Sequence, residues 1–225
     1  MTLRAILFDF DGLMMQTETA YYGGWKAVYD EYGVELPMDY FVKMIGGGFG
    51  HNPFQFLADQ TNKPIDEKAI WKRVMDVHWE MALDEPLMPG VQQWIDDARK
   101  MGLRMAVASS SPHSWIDFHM KRVGVWDDFQ AVICRDDVPL RKPAPDLYVA
   151  AMRALEVQPE DCLVLEDSEH GVDAAIAAGV YVVVVPHHFT EHMEVSHANR
   201  SIPSLAEVSL ADVIRGMEEE RSRRA

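Results

Sequence analysis

From Val91 onward the chain alternates short apolar runs with helical patterns, and that alternation leaves few folds open. Leu103–Ala108, Ala131–Cys134, Cys162–Glu166 and Val180–Val185 are apolar runs of strand length, and Leu3–Phe8 near the start is another. Between them Val91–Lys100, Ser114–Val123, Asp146–Leu155 and Gly171–Ala178 carry helical periodicity. Pro89-Gly90, Gly102, Gly124 and Gly179 stand where these helices should start or stop. Strands so uniformly apolar are buried on both faces, as in parallel sheets. The expected fold is α/β, with a Rossmann-like parallel sheet core and helices on both faces.

Residues Thr17 to Asp84 break the rhythm, because they hold no convincing strand. Glu18–Glu31, Asp39–Met44, Pro53–Thr61 and Asp66–Leu83 read as helices, the last with Ile70, Val74, Val77 and Met81 at 3–4 spacing. The expected organisation is an α/β core at 1–15 and 85–225 with an inserted α-helical cap at 16–84. A helical insert after the first strand is placed to cover the carboxyl edge of the sheet, where open α/β folds bind ligands.

Composition removes several function classes. Lys and Arg number 21 against 36 Asp and Glu, a formal charge of −15, whereas a nucleic-acid binder needs a basic footprint. Even an apolar run as long as Val180–Val185 is far shorter than the roughly 20 residues a membrane helix requires. Met1-Thr2-Leu3-Arg4 leads straight into an apolar stretch without a secretory pattern. Cys134 and Cys162 are too few for a disulfide scaffold and suit a reducing compartment. The expectation is a cytoplasmic monomer with a small-molecule ligand, and neither nucleic acid nor membrane as partner.

The chemistry-bearing residues cluster at the ends of the expected strands. The first strand runs into Phe8-Asp9-Phe10-Asp11-Gly12, with carboxylates at i and i+2. The second ends Ala108-Ser109-Ser110-Ser111, whose hydroxyls and turn N–H groups suit phosphate oxygens, although such a run alone is more often a helix cap, and Ser111-Pro112 suits a helix start. Arg141-Lys142-Pro143-Ala144-Pro145 places a lysine in a loop stiffened by two prolines. The fourth strand ends Leu165-Glu166-Asp167-Ser168 and adds hard oxygens at the same edge, a set that suits Mg²⁺.

Taken in order, Asp9-Phe10-Asp11-Gly12, Ser109, Lys142-Pro143 and Glu166-Asp167 resemble the four motifs of the haloacid-dehalogenase-like hydrolase superfamily. The resemblance covers nearly the whole chain and points to its capped phosphatases and the related β-phosphoglucomutases. It implies a Mg²⁺-dependent phosphatase acting on a small phosphorylated metabolite such as a sugar phosphate. Asp9 would be the nucleophile that becomes an aspartyl-phosphate, and Asp11 the general acid and base. Ser109, Ser110 and Lys142 would bind phosphate. The Asp9 carboxylate, the Asp11 carbonyl and Asp167 would hold the metal, with Glu166 beside it or acting through water. Dehalogenases of this superfamily lack a carboxylate at the place of Asp11, so Asp11 favours phosphoryl chemistry.

Some segments depart from the family pattern. Gln16-Thr17-Glu18 carries an amide where many capped relatives carry an acid, and Tyr21 stands where β-phosphoglucomutases carry a histidine. A phosphomutase is therefore the rival reading, weakened by Tyr21. Ile45-Gly46-Gly47-Gly48-Phe49-Gly50-His51 reads as a connection or a specificity loop, with Phe49 and His51 as leaving-group contacts. His187, His188, His192 and His197 lack the pattern of a zinc helix and read as a solvated loop.

Overall fold

The computed structural model describes residues 3–45 and 51–224. Its helices are α1 (Thr17–Tyr32), α2 (Met38–Ile45), α3 (Pro53–Gln60), α4 (Glu67–Ala82), α5 (Val91–Lys100), α6 (His113–Arg122), α7 (Asp146–Leu155), α8 (Glu169–Ala177) and α9 (Leu210–Arg224). Its strands are β1 (Ala5–Phe8), β2 (Arg104–Ala108), β3 (Ala131–Ile133), β4 (Cys162–Glu166), β5 (Tyr181–Val184) and β6 (Arg200–Ser201). They form one parallel sheet in the order β3-β2-β1-β4-β5-β6.

The chain divides into two compact units, Met1–Met15 with Leu87–Ala225, and Gln16–Pro86. In the first, every residue of β1 and β4 is buried. Successive strand residues point to opposite faces, so both faces of the sheet centre are covered. Ala5, Leu7, Ala106, Ala108, Val164, Val182 and Val184 share a cluster with Leu147, Tyr148 and Ala151 of α7 and Val172, Ala174 and Ala175 of α8. The alternate residues Ile6, Phe8, Val107, Leu163 and Val183 are equally buried, and α5 packs against β2. Each such side chain contributes about 1.5–3 kcal/mol by leaving water. That burial makes the strand ends rigid supports for polar groups.

The order reverses at β1, where chain progression toward β2 and β3 on one side meets β4 and β5 on the other. Ligands bind outside the carboxyl ends of strands at such a point. Phe8 pairs in register with Leu165, so the residues following β1 and β4 emerge side by side. β6 was not foreseen in the sequence: it is two residues long and polar, and lacks the apolar run that marks the other strands.

In the second unit, α1 packs along α4. The packing is aromatic: the Trp25 ring meets Tyr29, Phe54 and Trp71, and Tyr21 lies among Trp25, Phe41, Trp71 and His78. Asn52 caps α3 through Phe54 and Gln55 N–H groups, and Asp66 caps α4 through the Ala69 N–H. Residues 46–50 of the glycine-rich segment lie outside the described residues.

Candidate active site

β1 hands the chain to a tight turn. The Asp9 N–H donates to the Leu165 carbonyl at 3.0 Å, prolonging the β1–β4 pairing by one residue. Phe10 is fully buried, and the turn closes with Gly12 N–H on the Met15 carbonyl at 2.7 Å. Gly12 has φ +84°, a left-handed backbone that favours glycine.

Asp9 belongs to a buried ionic network. Lys142 Nζ lies 2.5 Å from Asp9 Oδ1 and 2.6 Å from Glu166 Oε1, and its side chain is only 6% exposed. Glu166 is fully saturated. Its Oε1 also accepts from the Tyr148 hydroxyl at 2.5 Å, and its Oε2 accepts from the Asp167 N–H, the Ser168 N–H and the Ser168 hydroxyl. The ammonium further sits 4.9 Å from the Tyr148 ring centroid, within cation–π range.

Three buried carboxylates sharing one ammonium cannot all ionise easily. Burial would raise Glu166, but the Lys142 charge with hydrogen bonds from Lys142, Tyr148 and the Asp167 N–H holds its carboxyl below the usual range. Asp9 is raised well above that range by burial and by Glu166 and Asp167, against the pull of Lys142. Asp167 is likewise raised by burial and by Glu166. Burial opposes the Lys142 charge, yet Asp9 and Glu166 more than compensate and lift its pKa above an ordinary lysine's.

Asp11 is held apart from that network. Its Oδ2 accepts from the Ser111 hydroxyl at 2.6 Å and the Ser109 hydroxyl at 3.3 Å, and its Oδ1 from the Trp115 indole N–H at 2.8 Å. Ser109 is buried and also accepts the Ser111 N–H at 3.0 Å. Of the expected site residues, Asp9, Lys142, Glu166 and Asp167 are thus brought into one group, and Asp11 and Ser109 into a second. Ser110 is half-buried, and no hydrogen bond joins it to either group among the described residues.

Four participants went unread in the sequence. Ser111 binds Asp11 rather than capping α6. Trp115 and Tyr148 sit on apolar helix faces, where an aromatic ring reads as core. His187 is the fourth, and here the solvated-loop expectation fails: its side chain is 6% exposed and its Nε2 lies 3.0 Å from Asp167 Oδ2. Burial pushes that imidazole down to about 4. The expectation describes His192 better, which is largely exposed, while His197 pairs with Asp173 at 2.8 Å.

The carboxylates of Asp9, Glu166 and Asp167 each place an oxygen within 4.8 Å of the others. Three hard-oxygen donors share one lysine here, and a divalent cation would favour the ionised forms that burial opposes, so the donor set fits such an ion.

Gly171 opens a further constraint. A Cβ there would fall on the Glu166 carboxylate. In an isolated helix Gly→Ala stabilises by about 1 kcal/mol. In α8 the collision should prevail, so Gly171→Ala is expected to lose about 1–3 kcal/mol by denaturant titration.

Residues 6–185 match the family model described as haloacid dehalogenase-like hydrolase. The chain belongs to the haloacid dehalogenase-like hydrolase family. It is 35% identical to YhcW of Bacillus subtilis (strain 168), over 93% of this chain and 95% of that protein. It is 29% identical to the fructose-1-phosphate phosphatase YqaB of Escherichia coli (strain K12), over 80% of this chain and 95% of YqaB. Among solved structures, a CbbY mutant from Rhodobacter sphaeroides in complex with xylulose-(1,5)bisphosphate matches with TM-score 0.79 at 26% identity, covering 94% of this chain and 99% of that one. Among the described residues no helix is long and apolar enough to cross a membrane.

Proposed function

We propose that the protein is a Mg²⁺-dependent phosphatase that hydrolyses a small sugar phosphate through an aspartyl-phosphate on Asp9. The supporting observation is the pairing of Asp9 with Lys142 at the β1–β4 switch point, beside a separately tethered Asp11. YqaB, by name a fructose-1-phosphate phosphatase, and the xylulose bisphosphate complex of CbbY support the substrate class. The helical unit Gln16–Pro86 is the part of the chain that corresponds to the inserted cap.

An Asp9 carboxylate oxygen attacks phosphorus, and the bond from phosphorus to the ester oxygen breaks. Asp11 gives its proton to the departing sugar oxygen, leaving an aspartyl-phosphate on Asp9. Asp11 then takes a proton from water, whose oxygen attacks phosphorus and releases inorganic phosphate from Asp9. Ser109, Ser111 and Trp115 hold the Asp11 carboxylate in one orientation for both proton transfers. Lys142 supplies charge against the phosphoryl oxygens, and Glu166 with Tyr148 keeps the ammonium in place. Asp9, the Asp11 carbonyl and Asp167 would hold Mg²⁺, while the saturated Glu166 acts from outside its direct ligands. When bound, the cation offsets the repulsion between carboxylate and phosphate, about 4 kcal/mol for unit charges 4 Å apart at an effective dielectric near 20.

Hydrolysis is favoured over phosphoryl return by Tyr21. Its ring is enclosed by Trp25, Phe41, Trp71 and His78, and burial raises its phenol, so it acts as packing rather than as a proton carrier. Incubation with β-glucose 1-phosphate, a trace of glucose 1,6-bisphosphate and Mg²⁺ should release inorganic phosphate. Stoichiometric glucose 6-phosphate without phosphate release would establish the mutase instead.

The metal reading has a stability signature. Asp9 and Asp167 have folded pKa values raised above their unfolded ones, so between those values the native state binds more protons. Metal-free protein should therefore lose stability as pH rises through the raised pKa values, and Mg²⁺ should restore it. Asp167→Asn should flatten this dependence, raise the metal-free Tm and abolish the Mg²⁺ response in thermal melts. An unchanged Mg²⁺ response would remove Asp167 from the metal site.

A further inference from the structure

The loop after β5 brings a group to the site that the chemistry above does not use. Val184, the last residue of β5, pairs with Glu166, and the Val185 N–H donates to the Glu166 carbonyl at 2.7 Å. The chain therefore leaves β5 level with the end of β4, and His187 lands beside Asp167. There it is built in. Its N–H donates to the Thr190 hydroxyl at 3.0 Å, and its carbonyl accepts the N–H groups of Thr190 at 2.8 Å and Glu191 at 2.7 Å. Phe189 and Thr190, which complete this turn, are each 2% exposed.

The ring's proton is placed by its other neighbour. The Phe189 backbone N–H lies 3.3 Å from His187 Nδ1 and can only donate, so Nδ1 is the acceptor. The neutral ring then carries its hydrogen on Nε2, 3.0 Å from Asp167 Oδ2. Nε2 is thereby a hydrogen-bond donor to the carboxylate and has no lone pair to offer an ion. Gly12 completes the packing: a Cβ at that position would stand 2.8 Å from His187 Nε2 and collide with Asp167 Oδ2. Turns following β1, β4 and β5 thus converge on one carboxylate oxygen.

The geometry points to His187 as the positioning residue of the metal site: its Nε2–H fixes the rotation of the Asp167 carboxylate so that the remaining oxygen faces the cation, and the imidazole does not itself ligate. This inference rests on the reading of Asp9 and Asp167 as ligands. Holding one carboxylate oxygen orients the other and removes a rotation that metal binding would otherwise have to freeze.

The test uses the full chain with Mn²⁺ as probe, its free fraction read by electron paramagnetic resonance. His187→Ala should weaken Mn²⁺ binding about 10–100-fold, and His187→Gln, which keeps an N–H donor at similar reach, should recover most of it. On wild-type protein, ¹⁵N-histidine spectra should show the Nε2–H tautomer, and nitrogen couplings of bound Mn²⁺ should lack a directly ligated imidazole. Wild-type binding that His187→Ala retains within about twofold overturns this inference alone, as does a glutamine variant no better than alanine. An Nδ1–H tautomer or a metal-bound imidazole does the same without any variant. No Mn²⁺ binding by the wild-type chain would overturn the metal reading and this inference with it.

Discussion

Asp9→Asn is expected to abolish phosphate release, by on the order of 10⁴–10⁶-fold in kcat, because it removes the nucleophile proposed at the end of β1. The loss should come without a fall in stability. Asp9 is one of three buried carboxylates around a single ammonium, and its pKa is raised by burial and by Glu166 and Asp167. The ionised side chain therefore costs the folded metal-free state free energy that an amide of the same shape does not. Lys142 keeps Glu166 at 2.6 Å as its partner in the variant. Thermal melts of the metal-free proteins should place Asp9→Asn at or above wild type. Asp11→Asn provides the contrast, since it keeps the proposed nucleophile and removes the proposed proton carrier, a step worth about 10²–10⁴-fold. Equal residual rates in the two variants would mean that they do not act at separate steps.

Lys142→Ala should show the opposite balance, losing stability as well as activity. The ammonium is the shared counter-ion of Asp9 and Glu166, both nearly or fully buried. Removing one partner of a buried pair costs about 3–5 kcal/mol, because the charges left behind stay desolvated. For a chain of this size that corresponds to a Tm lower by roughly 6–20 °C. The deficit should shrink as pH falls and the stranded carboxylates take up protons, since the folded variant then binds more protons than its unfolded chain. Lys142→Arg is expected to rescue little: a planar fork does not reproduce two short contacts from one nitrogen set over the Tyr148 ring. A variant within about 1 kcal/mol of wild type would show that the network carries little of the fold's stability.

The sheet was legible because each long strand is a buried apolar run, and β4 lies where its run does, Cys162–Glu166. Helices α5 and α7 begin and end as their periodicity indicates, at Val91–Lys100 and Asp146–Leu155. What escaped was short or disguised. β6 is two polar residues whose pairing comes from β5, not from its own sequence. Trp115 and Tyr148 follow the apolar stripe of their helices, so periodicity assigns them to the core, and they are buried there. Only three dimensions reveal that the indole N–H and the phenol hydroxyl reach Asp11 and Glu166. A usable signal was the spacing Ser111–Trp115, one helical turn apart behind the second strand. For His187 no local signal existed. Its place beside Asp167 comes from the β4–β5 register, which sets a loop histidine next to a carboxylate 20 residues earlier in the chain.

The proposed reaction passes through a covalent phosphoryl group on Asp9 that water removes. Wild-type enzyme is mixed with fructose 1-phosphate and Mg²⁺, quenched in acid during turnover, digested and read by mass spectrometry. One phosphoryl adduct is expected, on the peptide carrying Asp9, decaying as inorganic phosphate accumulates. Steady phosphate release with that peptide unmodified throughout, or with the adduct on another residue, would contradict the proposed reaction.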